Sequence, residues 1–191
     1  MRLVRVAAVA VAGAAVLAGC SDGGTANETL PSTSTSAAET SESLEPLGPP
    51  DFPVPDKARE KTAEGASAFL GYYIALMNRS QTTLSSEGLL DLSLNCDACS
   101  TFAEGLDEYK EQGLLLQSGG IRLDGASDPY LKDATAEFSV ALTQLPLSVT
   151  TPDGSPRLDM SGAEASYPAS GALITWDQAR STWVMTELTI Q

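Results

Sequence analysis

The chain has 191 residues, with 25 acidic against 11 basic side chains and a formal net charge of −14 at pH 7. This balance argues against nucleic acid as a partner, because affinity for nucleic acid depends on Lys and Arg side chains that neutralise phosphates. The sequence contains no histidine. Ser-His-Asp and Cys-His catalysis are therefore excluded, and so is the commonest metal ligand in proteins.

The N-terminus is typical of a secretion signal. Arg2 and Arg5 form a short positive region, and residues 6–17 are uncharged and almost wholly apolar. Two small residues then precede Cys20, as at a signal cleavage site. The apolar run is about a dozen residues long, whereas a transmembrane helix needs about twenty. We therefore predict a signal peptide over residues 1–19 rather than a membrane span.

The residues around the predicted cleavage point, Leu17-Ala18-Gly19-Cys20, resemble a bacterial lipobox. The resemblance implies that Cys20 receives a thioether-linked diacylglycerol and becomes the N-terminus of the mature protein. The expected location is the extracytoplasmic face of the cell membrane, since two or more acyl chains hold a protein firmly on a bilayer. The alternative is an ordinary secreted protein whose cysteine carries no lipid.

A tether is predicted between the lipid anchor and the folded part. Residues 20–50 are rich in Ser, Thr, Glu, Gly and Pro and contain few large apolar side chains. Such a segment buries too little apolar surface to offset the conformational entropy of folding, so we predict that it is disordered. One folded domain is then expected over residues 51–191.

Three helices are predicted at the start of this domain. In the first helix, apolar residues recur at helical spacing; they are Ala66, Phe69, Leu70, Tyr73, Ile74 and Met77. Its tyrosines are interpreted as packing residues rather than pocket residues. A short second helix begins at Ser85 or Ser86 and runs through Leu92. A third extends from Ala98 or Cys99 to Gln112, and its acidic residues are predicted to face solvent.

After residue 113 the apolar pattern changes to the alternation that is typical of strands. Strands are predicted at residues 114–117, around Ile121 and Leu123, at 134–142 and 147–149, and in a closing hairpin from Ala172 to Ile190. Gly119-Gly120 is interpreted as a turn or bulge. Helices followed by an antiparallel meander indicate an α+β fold, with N-terminal helices packed on a sheet.

A helical N-terminal third on a curved antiparallel sheet resembles the cone of nuclear transport factor 2-like (cystatin-like) domains. More narrowly, residues 49–53, 64–69 and 72–73 and the motif Cys96-Asp97-Ala98-Cys99 resemble a family of actinobacterial lipoproteins of unknown function. The resemblance implies the fold and the location. It supplies no catalytic residues, because that family has no established activity.

Cys96 and Cys99 remain as a pair once Cys20 is assigned to lipid. Outside the cytosol, two thiols so near in sequence are expected to form a disulfide. The same spacing occurs in thioredoxin-like enzymes, where a helix N-terminus stabilises the thiolate. Here no βαβ pattern surrounds the motif, and Asp97 disfavours a thiolate. We predict a structural disulfide that holds the start of the third helix.

Two kinds of function remain open. The first is a non-enzymatic binding module for an envelope partner protein or a small apolar ligand in the mouth of the cone. The second is a lyase or isomerase that uses a lone buried carboxylate as its base. Glu137 and Glu187 are the candidates because both lie in predicted strands, although the neighbours of Glu137 indicate that it faces solvent.

No catalytic residue, metal ligand or cofactor is predicted. Calcium needs several oxygen ligands that converge from a loop. The acidic loop at residues 124–128 lacks an EF-hand pattern and stays open only as a weak alternative for calcium. The predicted partners are therefore the membrane, through Cys20, and an envelope protein or a small apolar molecule.

Overall fold

The computed structural model describes residues 45–191. The predicted signal peptide, Cys20 and most of the predicted tether lie outside the described residues, and so do the predictions of lipidation and disorder that depend on them. The described residues belong to one compact unit.

The elements follow the predicted order of helices first and strands second. A 3-10 turn (Asp56–Arg59) precedes the helices α1 (Ala63–Thr83), α2 (Glu87–Asp91) and α3 (Asp97–Glu111). The strands are β1 (Leu115–Leu116), β2 (Ile121–Ala126), β3 (Tyr130–Lys132), β4 (Thr135–Gln144), β5 (Val149–Thr150), β6 (Ala165–Asp177) and β7 (Thr182–Thr189).

Helix α1 begins where the side chain of Thr62 accepts a hydrogen bond from the backbone nitrogen of Gly65 at 3.0 Å. This cap satisfies one of the free N–H groups of the first turn. Gly65 is required here, because a Cβ atom would lie 2.1 Å from the carbonyl oxygen of Glu60. The six apolar residues predicted to share a face of α1 are all buried.

Four antiparallel strands form the main sheet in the order β2-β4-β6-β7, and β3 pairs with β4 beyond the end of β2. The free edge of β7 is partly covered by the chain between α2 and α3, where Leu94 donates to Met185 and Met185 to Leu92. Register shifts interrupt each of the three main strand pairings. Such bulges bend strands, which fits the predicted curvature.

The helices cover one face of the sheet. Along β4, Ala136, Phe138, Val140 and Leu142 alternate with more exposed residues and point into the core, together with Ala172 and Ile174 of β6. Trp183 and Met185 of β7 and the apolar face of α1 complete this core. The predicted α+β class, with N-terminal helices packed on an antiparallel sheet, is confirmed.

The strands β1 and β5 do not join the main sheet. They pair with each other, Leu115 opposite Thr150 and Leu116 opposite Val149. Two buried side chains, Leu114 and Val149, anchor this ribbon to the domain. The predicted strand segments at 114–117 and 147–149 therefore form a separate ribbon.

The chain already contacts the domain before Asp51. Val54 donates to the carbonyl of Leu47 at 2.8 Å, and Pro49 is buried. Arg59 donates to the carbonyls of Glu45 and of Arg180 in the β6–β7 turn. The boundary predicted at Asp51 falls inside these contacts, because a proline-rich stretch without apolar periodicity gives no local sign that it packs on a fold.

Candidate functional site

A cavity of about 280 Å³ opens between α1, α3 and one end of the sheet. Three separate parts of the fold form its walls. They are Met77 and Gln81 from α1; Ala98, Thr101, Phe102, Gly105, Leu106 and Tyr109 from α3; and Gly120, Ile121, Gln144, Leu145, Leu147, Leu188 and Ile190 from the strands and their connections.

The lining is mainly apolar and carries no charged side chain. Its polar side chains are neutral: Gln81, Thr101, Tyr109 and Gln144. An isolated charge is costly to bury without a partner of opposite sign. The cavity is therefore suited to an uncharged molecule that is mostly apolar.

The face that α3 presents to the cavity is kept open by a glycine. A Cβ atom at Gly105 would have no neighbour within 4 Å, so the space above this position is empty. Glycine in the middle of a helix costs about 0.5–1 kcal/mol relative to alanine. The packing of α3 does not require a glycine at position 105. The effect of the missing side chain is that the cavity is larger.

The opposite wall is held close to α1 by two glycines and an asparagine. Gly119 and Gly120 have φ values of +130° and +120°, which side chains rarely adopt. A Cβ atom on Gly119 would lie 2.6 Å from Nε2 of Gln81. Asn78 forms two hydrogen bonds with the backbone of Ile121. The segment interpreted from sequence as a turn or bulge is thus a close approach between strand β2 and helix α1.

Next to this cavity lies a smaller one of about 30 Å³, which is lined by Ile121, Leu142, Gln144, Tyr167 and Ile190. Three of these residues, Ile121, Gln144 and Ile190, also line the larger cavity. The hydroxyl of Tyr167 donates to Oε1 of Gln144 at 3.4 Å. The two cavities therefore lie next to each other at the end of strand β4.

Glu137 and Glu187, the carboxylates considered as bases, lie on the other face of the sheet. Both are exposed, and both stand opposite Leu173 of β6 in the register. They border a separate groove on this outer face. Neither one is the buried carboxylate that the lyase hypothesis needs, because strand alternation turns their side chains away from the core.

The predicted disulfide between Cys96 and Cys99 is present, with Cα atoms 5.2 Å apart. Cys96 is the N-cap residue of α3, and its sulfur accepts from the backbone nitrogen of Cys99 at 3.3 Å. Their exposed fractions are 3% and 0%. A sulfur so deeply buried is out of reach of a substrate disulfide, so the bond holds the start of α3.

The remaining acidic and phenolic candidates have structural partners. In the acidic loop region, Asp124 accepts hydrogen bonds from Thr143 and Arg122, which lower the pKa of its carboxyl group. Burial raises the pKa of Tyr73 to about 12, and this residue does not line the cavity. Within residues 45–191, no group of three or more acidic or cysteine side chains could hold a metal ion.

Residues 45–191 contain no helix that is both long and apolar enough to cross a membrane.

The residues that define the cavity were not identified from sequence. Gly105 and Gln144 carry no local signal, because their role arises only where several distant segments meet. Of the α3 residues that line the cavity, Phe102, Leu106 and Tyr109 were expected to share a face.

Comparisons with known proteins give fold-level similarities only. No protein-family model matches the chain, and no curated protein matches it. The intermembrane-space region of the chloroplast protein ARC6 is similar, with 12% identity over 69% of this chain and 99% of that chain and a TM-score of 0.48.

Two bacterial structures show weaker similarity. A protein from Catenulispora acidiphila in complex with S-DNPA has 9% identity over 66% of this chain and 92% of that chain, with a TM-score of 0.42. A candidate calcium/calmodulin-dependent kinase II association domain from Exiguobacterium sibiricum has 14% identity over 69% of this chain and 96% of that chain, with a TM-score of 0.40. The function of this chain is therefore argued from its own residues.

Proposed function

We propose that the protein is an exported, lipid-anchored envelope protein whose domain binds a small uncharged ligand in the cavity between α1, α3 and the sheet. The observation that carries this proposal is the lining, which is mainly apolar, contains four neutral polar side chains and has no charged one. The predicted signal peptide and Cys20 supply the location.

The size of the cavity sets the class of ligand. At about 280 Å³ it lies near the lower end of the range for ligand pockets, about 300–1,000 Å³. A molecule with one or two rings matches this volume, whereas a whole phospholipid does not. The proposed ligand is therefore a small molecule rather than a membrane lipid.

The charges on α3, the helix that forms one wall of the cavity, favour a neutral ligand over an anion. Of the six charged side chains on α3, five are acidic. A fatty-acid carboxylate would approach these like charges and would find no basic partner in the lining. We therefore infer that the ligand carries no negative charge.

Binding is proposed in preference to catalysis because no acidic side chain lines the cavity. A lyase or isomerase would need a base next to the bound molecule. The partner-protein form of the hypothesis makes a different prediction, since a protein that covers the cavity mouth would displace a dye bound there.

The test uses N-phenylnaphthylamine, a neutral dye whose fluorescence rises in apolar surroundings. The purified full chain is titrated in the presence of phosphatidylcholine nanodiscs. A lipid-anchored chain can insert into them, and a chain without an anchor stays in solution, so the same conditions serve both. Gly105→Trp places a large side chain in the cavity. Gly71→Trp is the matched control, because Gly71 is an exposed position in the middle of α1 where a Cβ atom also has no neighbour within 4 Å.

We expect saturable dye binding in the wild type and in Gly71→Trp, and its loss in Gly105→Trp. Dye that partitions into lipid is common to all three samples and cancels in their differences. Circular dichroism establishes that the variants are folded. Equal saturable binding by Gly105→Trp and the wild type would overturn the proposal.

The anchor is tested separately. In cells fed a palmitate analogue that can be labelled, the wild type should incorporate label and sediment with membranes, whereas Cys20→Ser should do neither. Absence of label from the wild type would refute lipidation at Cys20 and leave ligand binding unaffected.

A further inference from the structure

Gln144 lies between the two neighbouring cavities. It is the last residue of β4 and lines both the cavity of about 280 Å³ and the one of about 30 Å³. A ligand that extends from the larger cavity into the smaller one would pass its carboxamide group. This position makes Gln144 the polar residue best placed to select a ligand.

The hydrogen bonding of Gln144 indicates which ligand group it selects. Its Oε1 accepts from the Tyr167 hydroxyl at 3.4 Å, which directs the oxygen towards β6. Its Nε2 lies beside Gly162, 3.2 Å from where a Cβ atom on that residue would be. Within residues 45–191 this nitrogen donates no hydrogen bond, and it is not among the side-chain atoms that are buried without a partner, so it is accessible to a bound molecule. A carboxamide nitrogen has two donors and no acceptor capacity, so its complement is an acceptor oxygen.

The smaller cavity limits the size of the group that can be attached next to the acceptor oxygen of the ligand. Apart from Gln144 and the hydroxyl of Tyr167, its walls are the aliphatic side chains of Ile121, Leu142 and Ile190. A cavity that holds one water molecule needs about 10–15 Å³ of space for a water-sized sphere. The smaller cavity has about 30 Å³ of such space and can therefore hold a group of one or two heavy atoms. In apolar walls this is a methyl or ethyl group.

We propose that the ligand is a neutral ketone or ester, which deepens the proposed function and rests on it. The apolar body occupies the larger cavity, the carbonyl oxygen accepts a hydrogen bond from Nε2 of Gln144, and a short alkyl group fills the smaller cavity. Gln144 is then the residue that determines specificity, and no covalent step is involved.

The test compares two neutral dyes in the full chain under the nanodisc conditions described above. Prodan is a naphthyl ketone with a propionyl group, and N-phenylnaphthylamine has a similar size but no carbonyl. Gln144→Leu keeps the side-chain bulk and removes the donor. Gln117→Leu is the matched control, because Gln117 is exposed and does not line the larger cavity.

We expect Gln144→Leu to lower the ratio of prodan affinity to N-phenylnaphthylamine affinity by about two- to tenfold, the usual effect of losing one hydrogen bond. The emission of bound prodan should shift to shorter wavelength, since a hydrogen bond to its carbonyl shifts emission to longer wavelength. Gln117→Leu should leave the ratio and the emission unchanged. An unchanged ratio in Gln144→Leu would overturn the assignment of the carbonyl to Gln144.

A second comparison tests the smaller cavity. Laurdan differs from prodan only in a twelve-carbon acyl chain, which the smaller cavity cannot contain. We expect laurdan to bind the wild type less tightly than prodan despite its greater hydrophobicity, and tighter laurdan binding would overturn the size limit. If neither prodan nor N-phenylnaphthylamine binds the wild type, the proposed function itself fails. If only the naphthylamine binds, the proposed function stands and the carbonyl assignment fails.

Discussion

The side chain of Asn78 forms with the backbone of Ile121 the two hydrogen bonds that a neighbouring strand would otherwise form. Its Nδ2 donates to the carbonyl oxygen of Ile121 at 2.8 Å, and its Oδ1 accepts from the nitrogen of Ile121 at 2.7 Å. Both bonds use the carboxamide as if it were a peptide group. The start of β2 is thereby fixed to α1 at the edge of the cavity.

Asn78→Ala should destabilise the domain by about 1–3 kcal/mol, because it leaves two partly buried backbone groups without partners. Dye affinity should fall as well, since Ile121 lines the cavity. Urea unfolding and the dye titration measure the two effects. Thr82→Ala, an exposed change one turn further along α1, should stay within about 0.5 kcal/mol of the wild type. Equal stability of the two variants would show that the hydrogen bonds between Asn78 and Ile121 do not stabilise the domain.

Two glycines should respond to alanine in opposite directions. Gly105→Ala should raise the free energy of unfolding by about 0.5–1 kcal/mol, because alanine favours the helix and its Cβ atom meets nothing. Gly65→Ala should lower it, since the Cβ atom would lie 2.1 Å from the carbonyl oxygen of Glu60. Thermal unfolding distinguishes the signs. A loss of stability in Gly105→Ala would show that the space above this glycine is not empty.

Removing the disulfide should cost moderate stability. The loop between Cys96 and Cys99 is short, and the chain-entropy model assigns such a loop about 2 kcal/mol. The double variant Cys96→Ala, Cys99→Ala should therefore unfold at lower urea concentration. The slope of its unfolding free energy against urea concentration should be unchanged. Ser100→Ala, on the next exposed residue of α3, is the control. A double variant as stable as the wild type would mean that the bond does not hold the helix start.

Asp177 should make the domain sensitive to acid. The pKa of its carboxyl group is lowered, first by a hydrogen bond from Arg180, whose Nε lies 2.8 Å from Oδ2. Because the folded pKa lies below the unfolded value of about 3.8, the stabilisation is present above pH 4 and is lost as the pH falls through the folded pKa.

Asp177→Asn should accordingly be less stable than the wild type at pH 7, by about 0.2–1 kcal/mol for a partly exposed pair near the surface. The difference should shrink as the pH falls below about 4 and through the lowered pKa of the folded state. Urea midpoints at a series of pH values measure it. A constant difference for Asp177→Asn at every pH would contradict an electrostatic origin.

The first helix and the disulfide were predictable because their signals are local. The spacing of Phe69, Tyr73 and Met77 places them on one helix face, and all three are buried. The pairing of Cys96 with Cys99 needed only their separation in sequence and the expected oxidising location. In both cases a few neighbouring residues contain the information.

The cavity was not predictable residue by residue, because it forms where distant segments meet. Gly105 looks like a weak position in a helix, and Gln144 looks like an ordinary polar end of a strand. The ribbon is a similar case: Leu116 pairs with Val149 rather than with the main sheet, across more than thirty residues. Alternation predicts that a segment is a strand and does not specify its partner.

Arg59 holds the incoming chain at Glu45 against the turn that precedes β7, whereas the cavity is lined by Leu188 and Ile190 at the other end of that strand. At about 3.3 Å per residue, β7 separates the two places by about 25 Å. The route into the cavity is therefore not obstructed by the chain where it enters the domain. The proposed ligand site and the entry point of the chain are therefore at opposite ends of β7, so a bound molecule and the segment before Glu45 would not compete for the same surface.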